Sequence, residues 1–230
     1  MAYGVPGIPL ISPDAGPIPP VPLQQPQNLF RFGEQCIWST QLHQTGAIAS
    51  TTNRIFTTPI GQVGQGFTNA LTIAETNLKE GGRVPSGVAY DVFGVAAEVC
   101  LSSAADDSGT ISQSIDTQAT IQSLLNIIQN GVLTWDFTQT QVDIAPIALC
   151  GAGGGAFGAV AQNAAGANSG HMNNGNGSIW MYRKHPVALP GNSTFAITSR
   201  YGSRAAAVAN NAVYLRIVLL GYYKNVIEIG

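Results

Sequence analysis

The stretch AVYLRIVLLGYYKNVIE, residues 212–228, decides the fold, because apolar residues recur at every second position along it. One face carries four aliphatic residues, Val213, Leu215, Ile217 and Leu219. The opposite face carries Tyr214, Arg216, Val218 and Leu220, and it is largely apolar as well. A period of two indicates a β-strand. Since both of its faces are mostly apolar, we predict that this strand is central or covered on both sides.

Shorter stretches of the same character occur along the chain. They predict strands at 29–42, 54–60, 88–101, 131–137, 142–150, 178–185 and 193–201. Pro146 interrupts one of them, which favours an edge strand or a bend because proline cannot donate to a ladder. Residues 67–78 are compatible with either a strand or a helix.

One helix is predicted, at 115–128. Its apolar residues recur at helical spacing: Ile111, Ile115, Ile121, Leu125 and Ile128. Ser112 or Ser114 can cap its start, and Asn130-Gly131 ends it. One helix among many strands predicts an all-β fold, a β-sandwich or jelly roll with a single inserted helix.

Residues 1–28 form a separate region, an extended N-terminal arm ahead of a single β-sandwich domain at 29–230. Eight of the 13 prolines of the chain lie there, and Asp14 is its only charge. The proline content predicts an extended, polyproline-like arm. Its apolar residues favour a tether laid over a neighbouring subunit, with a disordered tail as the alternative: Val5, Ile8, Leu10, Ile11, Ile18, Val21 and Leu23.

The chain of 230 residues is unusually poor in charge. Charged residues make up 10% of it, against about 25% in typical soluble domains. Small neutral polar groups replace them, and a low content of charged residues is also typical of the cores of protein interfaces. This composition favours a self-assembling protein. The net charge of −2 predicts no specific nucleic-acid site.

Charge is unevenly divided between the two parts of the chain. Residues 1–143 hold four Lys/Arg and eleven Asp/Glu, or −7, whereas residues 144–230 hold six Lys/Arg and Glu228, or +5. This asymmetry could steer head-to-tail contacts between copies. The favoured interpretation is that the two parts interleave in one sandwich, where the charges cancel locally.

Cysteine usage predicts free thiols. Cys36, Cys100 and Cys150 have apolar neighbours in the sequence, and three cysteines without a CxxC spacing fit neither a disulfide framework nor a zinc site. Buried thiols in a protein made in a reducing cytoplasm are expected. The sequence shows no signal peptide and no transmembrane segment.

Motifs for chemistry are weak, so we predict no enzyme and no catalytic, cofactor or metal site. Residues 153–158 fit the dinucleotide pattern GxGxxG, but no acidic residue follows until Glu228. His43, His171 and His185 are scattered, without metal-ligand spacing. Residues 106–109, Asp-Asp-Ser-Gly, are predicted to be a turn and not a calcium loop.

The order of the elements resembles the jelly-roll capsid and head-decoration proteins of bacteriophages. The resemblance is carried by Glu75-Thr76-Asn77-Leu78, by Gly81-Gly82-Arg83-Val84-Pro85 and by the successive segments 90–101, 115–128, 131–137 and 214–221. It implies a virion protein, made in the host cytoplasm, that forms capsomers and whose arms bind neighbouring subunits.

Two classes of function follow. The first is a structural virion protein, a capsid or capsid-decorating subunit, whose partners are its own copies and other virion proteins. The alternative is a carbohydrate- or receptor-binding β module, such as a fibre or spike tip. Four aromatic residues are candidates for an interface or a ligand surface: Trp180, Tyr182, Tyr222 and Tyr223.

Overall fold

The computed structural model describes residues 29–48, 53–112, 118–137, 140–151, 158–159, 171–172, 179–202, 208 and 210–227. The predicted arm lies outside these residues, as do the helix start and most of the glycine-rich segment around 153–158. The described residues confirm a mainly β chain. Its strands are β1 (Leu29–His43), β2 (Asn53–Ile55), β3 (Val88–Ser102), β4 (Ile111–Ser112), β5 (Gly131–Phe137), β6 (Thr140–Pro146), β7 (Gly158–Ala159), β8 (His171–Met172), β9 (Trp180–Met181), β10 (Val187–Leu189), β11 (Phe195–Tyr201) and β12 (Val213–Ile227). The helices are α1 (Gln118–Asn130) and a 3-10 helix (Ile147–Leu149).

Two antiparallel sheets enclose the core. The six-stranded sheet has the order β1-β12-β3-β10, and both β4 and β9 also pair with β3. The four-stranded sheet has the order β2-β11-β5-β6. The short strands β7 and β8 pair with each other. Each large sheet therefore combines strands from the two ends of the chain.

Eight of the strands pair in a nested order. β1 pairs with β12, β2 with β11, β3 with β10, and β5 with β6, all antiparallel. This order is that of one long hairpin folded back and forth, so that successive strand pairs lie alternately in the six-stranded and the four-stranded sheet. Such pairing is dominated by contacts between residues far apart in the sequence, since β1 and β12 are joined along their full length.

The prediction of a central strand near the C-terminus is confirmed. β12 lies between β1 and β3. The four aliphatic residues of its first face are each 0% exposed, and they form the centre of the core. The other face is only partly covered: Tyr214 is buried, whereas Arg216, Val218 and Leu220 are half-buried.

α1 covers part of the core with a face that differs from the predicted one. Leu124 and Ile127 are 0% exposed, and Ile128 is 9% exposed. Leu125, which was predicted to face the core, is half-buried. The helix packs on β3, β5, β6 and the 3-10 helix, so contacts on several sides set its rotation. Gly131 ends α1 and begins β5, as predicted.

Three predicted strands are shorter than expected. At 54–60 only Asn53–Ile55 is a strand, because Phe56 has a positive φ of 72° and turns its side chain into the core. At 178–185 only Trp180–Met181 pairs within the described residues. At 142–150 the strand ends at Pro146 and a 3-10 helix follows, which confirms the predicted edge position. Residues 67–78 form neither a helix nor a strand.

Candidate assembly surface

An apolar cluster, the outer patch, lies on the outward face of the six-stranded sheet. Its members are Phe93, Ile179, Met181, Leu220 and Tyr222. A Cβ atom on Gly94 would lie 3.1 Å from Cγ2 of Ile179, 3.1 Å from Sδ of Met181 and 3.4 Å from Cδ1 of Leu220, so these side chains converge over this glycine. The rings of Phe93 and Tyr222 lie beside them, with centroids 4.9 Å apart.

The outer patch is accessible to solvent. Ile179, Met181 and Tyr222 are 37%, 46% and 48% exposed. Carboxylates flank it, because Tyr222 is paired in register with Asp91 on β3 and with Glu34 on β1, and both acidic residues are exposed. An exposed apolar cluster with a charged rim is typical of a protein interaction site.

The four aromatic residues predicted from sequence do not share one surface. Of these, Tyr222 belongs to the outer patch. Trp180, Tyr182 and Tyr223 are instead half-buried and pack against the core. Oη of Tyr182 accepts a hydrogen bond of 2.8 Å from the indole Nε1 of Trp135, and burial raises the pKa of this phenol. Tyr223 lies on the inner face because side chains alternate along β12, and its ring covers Gly33 on β1.

Phe93 and Met181 were not identified from the sequence as surface candidates. A signal for Phe93 exists, because the alternation of apolar residues changes phase around it. Along β3 the residues that belong to the hydrophobic core occupy even positions at Tyr90 and Val92 and odd positions from Val95 to Leu101. This change of phase marks a β-bulge, and the pairing with β12 shifts register there, between Leu220 and Gly221. The extra residue, Phe93, is turned toward the outward face.

An ion pair joins the two central strands of the six-stranded sheet. Nη1 of Arg216 on β12 lies 3.0 Å from Oε2 of Glu98 on β3, and the two residues are directly opposite in register. The same guanidinium donates from Nη2 to the carbonyl of Ala74 at 3.0 Å. This ion pair joins the basic C-terminal part to the acidic N-terminal part within one subunit, whereas cancellation of charge over the whole chain stays a prediction.

A polar cluster joins the two sheets at their β1 and β11 strands. Oη of Tyr201 lies 3.0 Å from Nε2 of His43, and their rings meet edge to face. Oγ of Ser199 donates to Oε1 of Gln41 at 3.2 Å. All four side chains are buried. Burial lowers the pKa of His43 to about 4, so this imidazole is neutral and bonded to a neighbour at pH 7.

The prediction of three buried thiols is wrong for one cysteine. The cysteines are free, and Cys150 is buried while Cys100 is half-buried. Burial raises the pKa of both thiols to about 12. Cys36 is exposed, because it lies on the outward face of β1 at the margin of the sheet.

The predicted turn at 106–109 is confirmed, and it is hydrogen-bonded to the loop that contains Thr68 and Asn69. The carboxylate of Asp107 accepts hydrogen bonds from the backbone N–H groups of Thr68 and Asn69 at 2.7 and 2.8 Å. The hydroxyl of Thr68 also donates to this carboxylate, and its hydrogen bond, together with the two backbone bonds and one from the Asn69 side chain, lowers the pKa of Asp107 to about 2. Among the described residues, no group of three His, Cys, Asp or Glu side chains could hold a metal ion.

A cavity of about 260 Å³ opens between the sheets beside Tyr223. Ile37, Val88 and Phe195 give it an apolar wall, and Lys79 lies among its lining residues. Its volume is below the roughly 300–1,000 Å³ of typical small-molecule sites. This cavity is therefore small for a ligand of that class.

The apolar residues of the predicted arm lie outside the described residues. In the described part of the chain, no helix combines the length and the apolar character needed to cross a bilayer.

Comparison of the chain with models of protein families, with curated proteins and with solved structures gives no match.

Proposed function

We propose that the chain is a non-enzymatic structural protein of a virion, a capsid or capsid-decorating subunit that assembles with its own copies and with other virion proteins. The observation that carries this proposal is the outer patch. Its side chains remain up to about half exposed in the single chain, and association with another protein surface would remove them from water.

The composition supports the same function. With 10% charged residues, the chain has few ionic groups whose desolvation would oppose association. The ion pair between Arg216 and Glu98 on the outward face lies within the subunit. Contacts between copies are therefore expected to depend on apolar and neutral polar surface more than on salt bridges.

The strand topology is compatible with the virion assignment. Nested pairing of eight strands in two antiparallel sheets agrees with a jelly roll, an architecture used by viral capsid proteins, lectins and cupins. The predicted N-terminal arm adds a second means of contact, because a stiff, proline-rich segment loses little conformational entropy when it binds a neighbour.

The proposal is tested by measuring the mass of the purified full-length chain with light scattering and by imaging it with negative-stain electron microscopy. We expect oligomers or particles of defined size. Replacing Met181 and Tyr222 together by serine should reduce the assembled fraction at least tenfold. A chain that remains monomeric at every concentration would refute self-assembly.

A matched control is available at two exposed apolar residues that are not members of the outer patch. Val142 and Leu149 are 48% and 54% exposed, close to the exposure of the two patch residues, but they lie outside the outer patch. Their double serine variant should assemble like the parent chain. Equal losses in the two double variants would show that assembly responds to general surface hydrophobicity and not to the outer patch.

The second candidate function is carbohydrate or receptor binding. The exposed ring of Tyr222, which packs beside the half-buried Phe93, favours it because aromatic faces stack well on apolar surfaces. A glycan array at low salt tests it. Retention that is lost on Tyr222→Ser in a chain that stays monomeric would support this function over assembly.

A further inference from the structure

Within the part of the chain that the structure describes, the first seven residues of β1 form an open sheet edge. β1 is the terminal strand of its sheet, with β12 on one side. The loop at 63–77 covers the other side from Cys36 onward. There, the N–H of Asn77 donates to the carbonyl of Trp38 at 3.2 Å, and the N–H of Leu42 donates to the carbonyl of Gln65 at 3.3 Å. Among the described residues, none donates a hydrogen bond to residues 29–35 along this side or accepts one.

The direction of the unpaired groups follows from the alternation of the strand. Trp38 and Leu42 use their backbone groups to bond to the loop at 63–77, on the side of β1 away from β12. The N–H and C=O groups of even-numbered β1 residues therefore face away from β12. The pairing of β1 with β12 runs from Leu29 to His43 without a register shift. The N–H and C=O groups of Phe30, Phe32 and Glu34 therefore face the open part. An unpaired row of this kind is a template for another strand.

We propose that this edge pairs with the same edge of a second copy, antiparallel, about a two-fold axis at Phe32. The open stretch begins at Leu29 and is closed at Cys36, where Nδ2 of Asn77 donates to the carbonyl at 2.8 Å. Phe32 is its central residue. A two-fold axis there places Phe32 opposite its own copy and Phe30 opposite Glu34. Each of these pairs has its backbone groups directed at the partner, which the hydrogen-bonded geometry of antiparallel strands requires.

The proline-rich arm fits this edge less well than a second copy. A strand that adds to a sheet must donate N–H groups, and proline has none. After Pro6, no stretch of the arm longer than three residues lacks proline. The open edge of a second copy offers seven consecutive residues without proline. Pairing of this kind joins two six-stranded sheets into one and is specific to two copies of the same surface.

This inference deepens the proposed self-assembly and rests on it. The test is disulfide trapping in full-length chains that carry Cys36→Ser, since Cys36 is the exposed thiol. Phe32→Cys would place two cysteines opposite each other with Cα atoms about 5.5 Å apart, within the range of about 4.4–6.8 Å for a disulfide. We expect a cross-linked dimer after mild oxidation.

Glu34→Cys in the same background is the matched control. Under the proposed register its two copies lie four residues apart along the strand, about 13 Å, so they are too distant to cross-link. We expect at least tenfold more dimer from Phe32→Cys than from Glu34→Cys. The Cys36→Ser parent gives the background from the half-buried Cys100. Equal trapping of both variants, or preferential trapping of Glu34→Cys, would overturn the register.

A proline variant tests the edge without cysteine chemistry. Glu34→Pro removes an N–H that faces the open edge and leaves the hydrogen bonds to β12, so the subunit should fold as before by circular dichroism. Its dimer dissociation constant should rise at least tenfold relative to Glu34→Ala, which retains the N–H. Equal constants would overturn the proposal. If the chain assembles but neither test responds, only edge pairing fails. If it never assembles, the proposed function fails as well.

Discussion

The buried imidazole of His43 predicts a loss of stability on mild acidification. Burial lowers its pKa from 6.5 to about 4. The unfolded chain therefore takes up a proton near pH 6.5, whereas the folded chain does not do so until about pH 4. Stability from this group is complete above pH 6.5 and falls as the pH approaches 4. A difference of about 2.5 pH units at 1.36 kcal/mol per unit amounts to about 3 kcal/mol.

The assay is urea unfolding followed by tryptophan fluorescence, at several pH values from 7.5 to 4. His43→Gln keeps an amide that can bond to Tyr201 but has no proton to gain in this range. Carboxylates titrate in both chains, so the difference between the two free energies of unfolding isolates His43. We expect wild type to lose about 3 kcal/mol more than His43→Gln over this window.

The exposed His185 supplies the control, because His185→Gln also removes one histidine but from the surface. This variant should follow the wild-type pH profile. A His43→Gln profile parallel to wild type would refute the reasoning, since it would mean that burial does not keep this imidazole neutral.

Three other predictions concern the packing around the two sheets. Tyr182→Phe removes the acceptor of the Trp135 indole and should cost about 1–3 kcal/mol in urea unfolding. Asp107→Ala should speed amide hydrogen exchange in the facing loop at least tenfold at neutral pH. In the parent, the same loop should loosen only as the pH falls from about 4 toward 2, because the pKa of Asp107 is lowered to about 2. Gly131→Ala should cost about 2 kcal/mol or more, because its Cβ would lie 2.6 Å from a helix carbonyl, whereas Gly202→Ala meets nothing within 4 Å and should be neutral.

The strands that the sequence predicts well are those whose alternation is a local property of the chain. The four aliphatic residues of β12 repeat every second position, and each is fully buried. The limits of β3 and β5 likewise agree with the prediction to within one residue. Alternation can be read without knowing the partner strand, because the side chains of any strand point to opposite faces.

The errors arise where distant contacts override the local pattern. Phe56 leaves the strand conformation at a positive φ and packs on Phe195, which lies far away in the sequence. Leu124, and not Leu125, lies on the most buried side of α1, because the helix contacts several strands at once. The outer patch could not be located either, since Phe93 and Tyr222 come from separate strands that meet only through the pairing of β3 with β12.

The sequence alone determined that the chain is mainly β, that it has few charges and that its last strand is apolar on both faces, because composition and period are properties of the chain itself. Tertiary structure decided which strands pair, which aromatic side chains face outward and which part of β1 has no neighbouring strand among the described residues. Those features depend on residues nearly 200 positions apart, such as Leu29 and Ile227, and no local pattern carries their register.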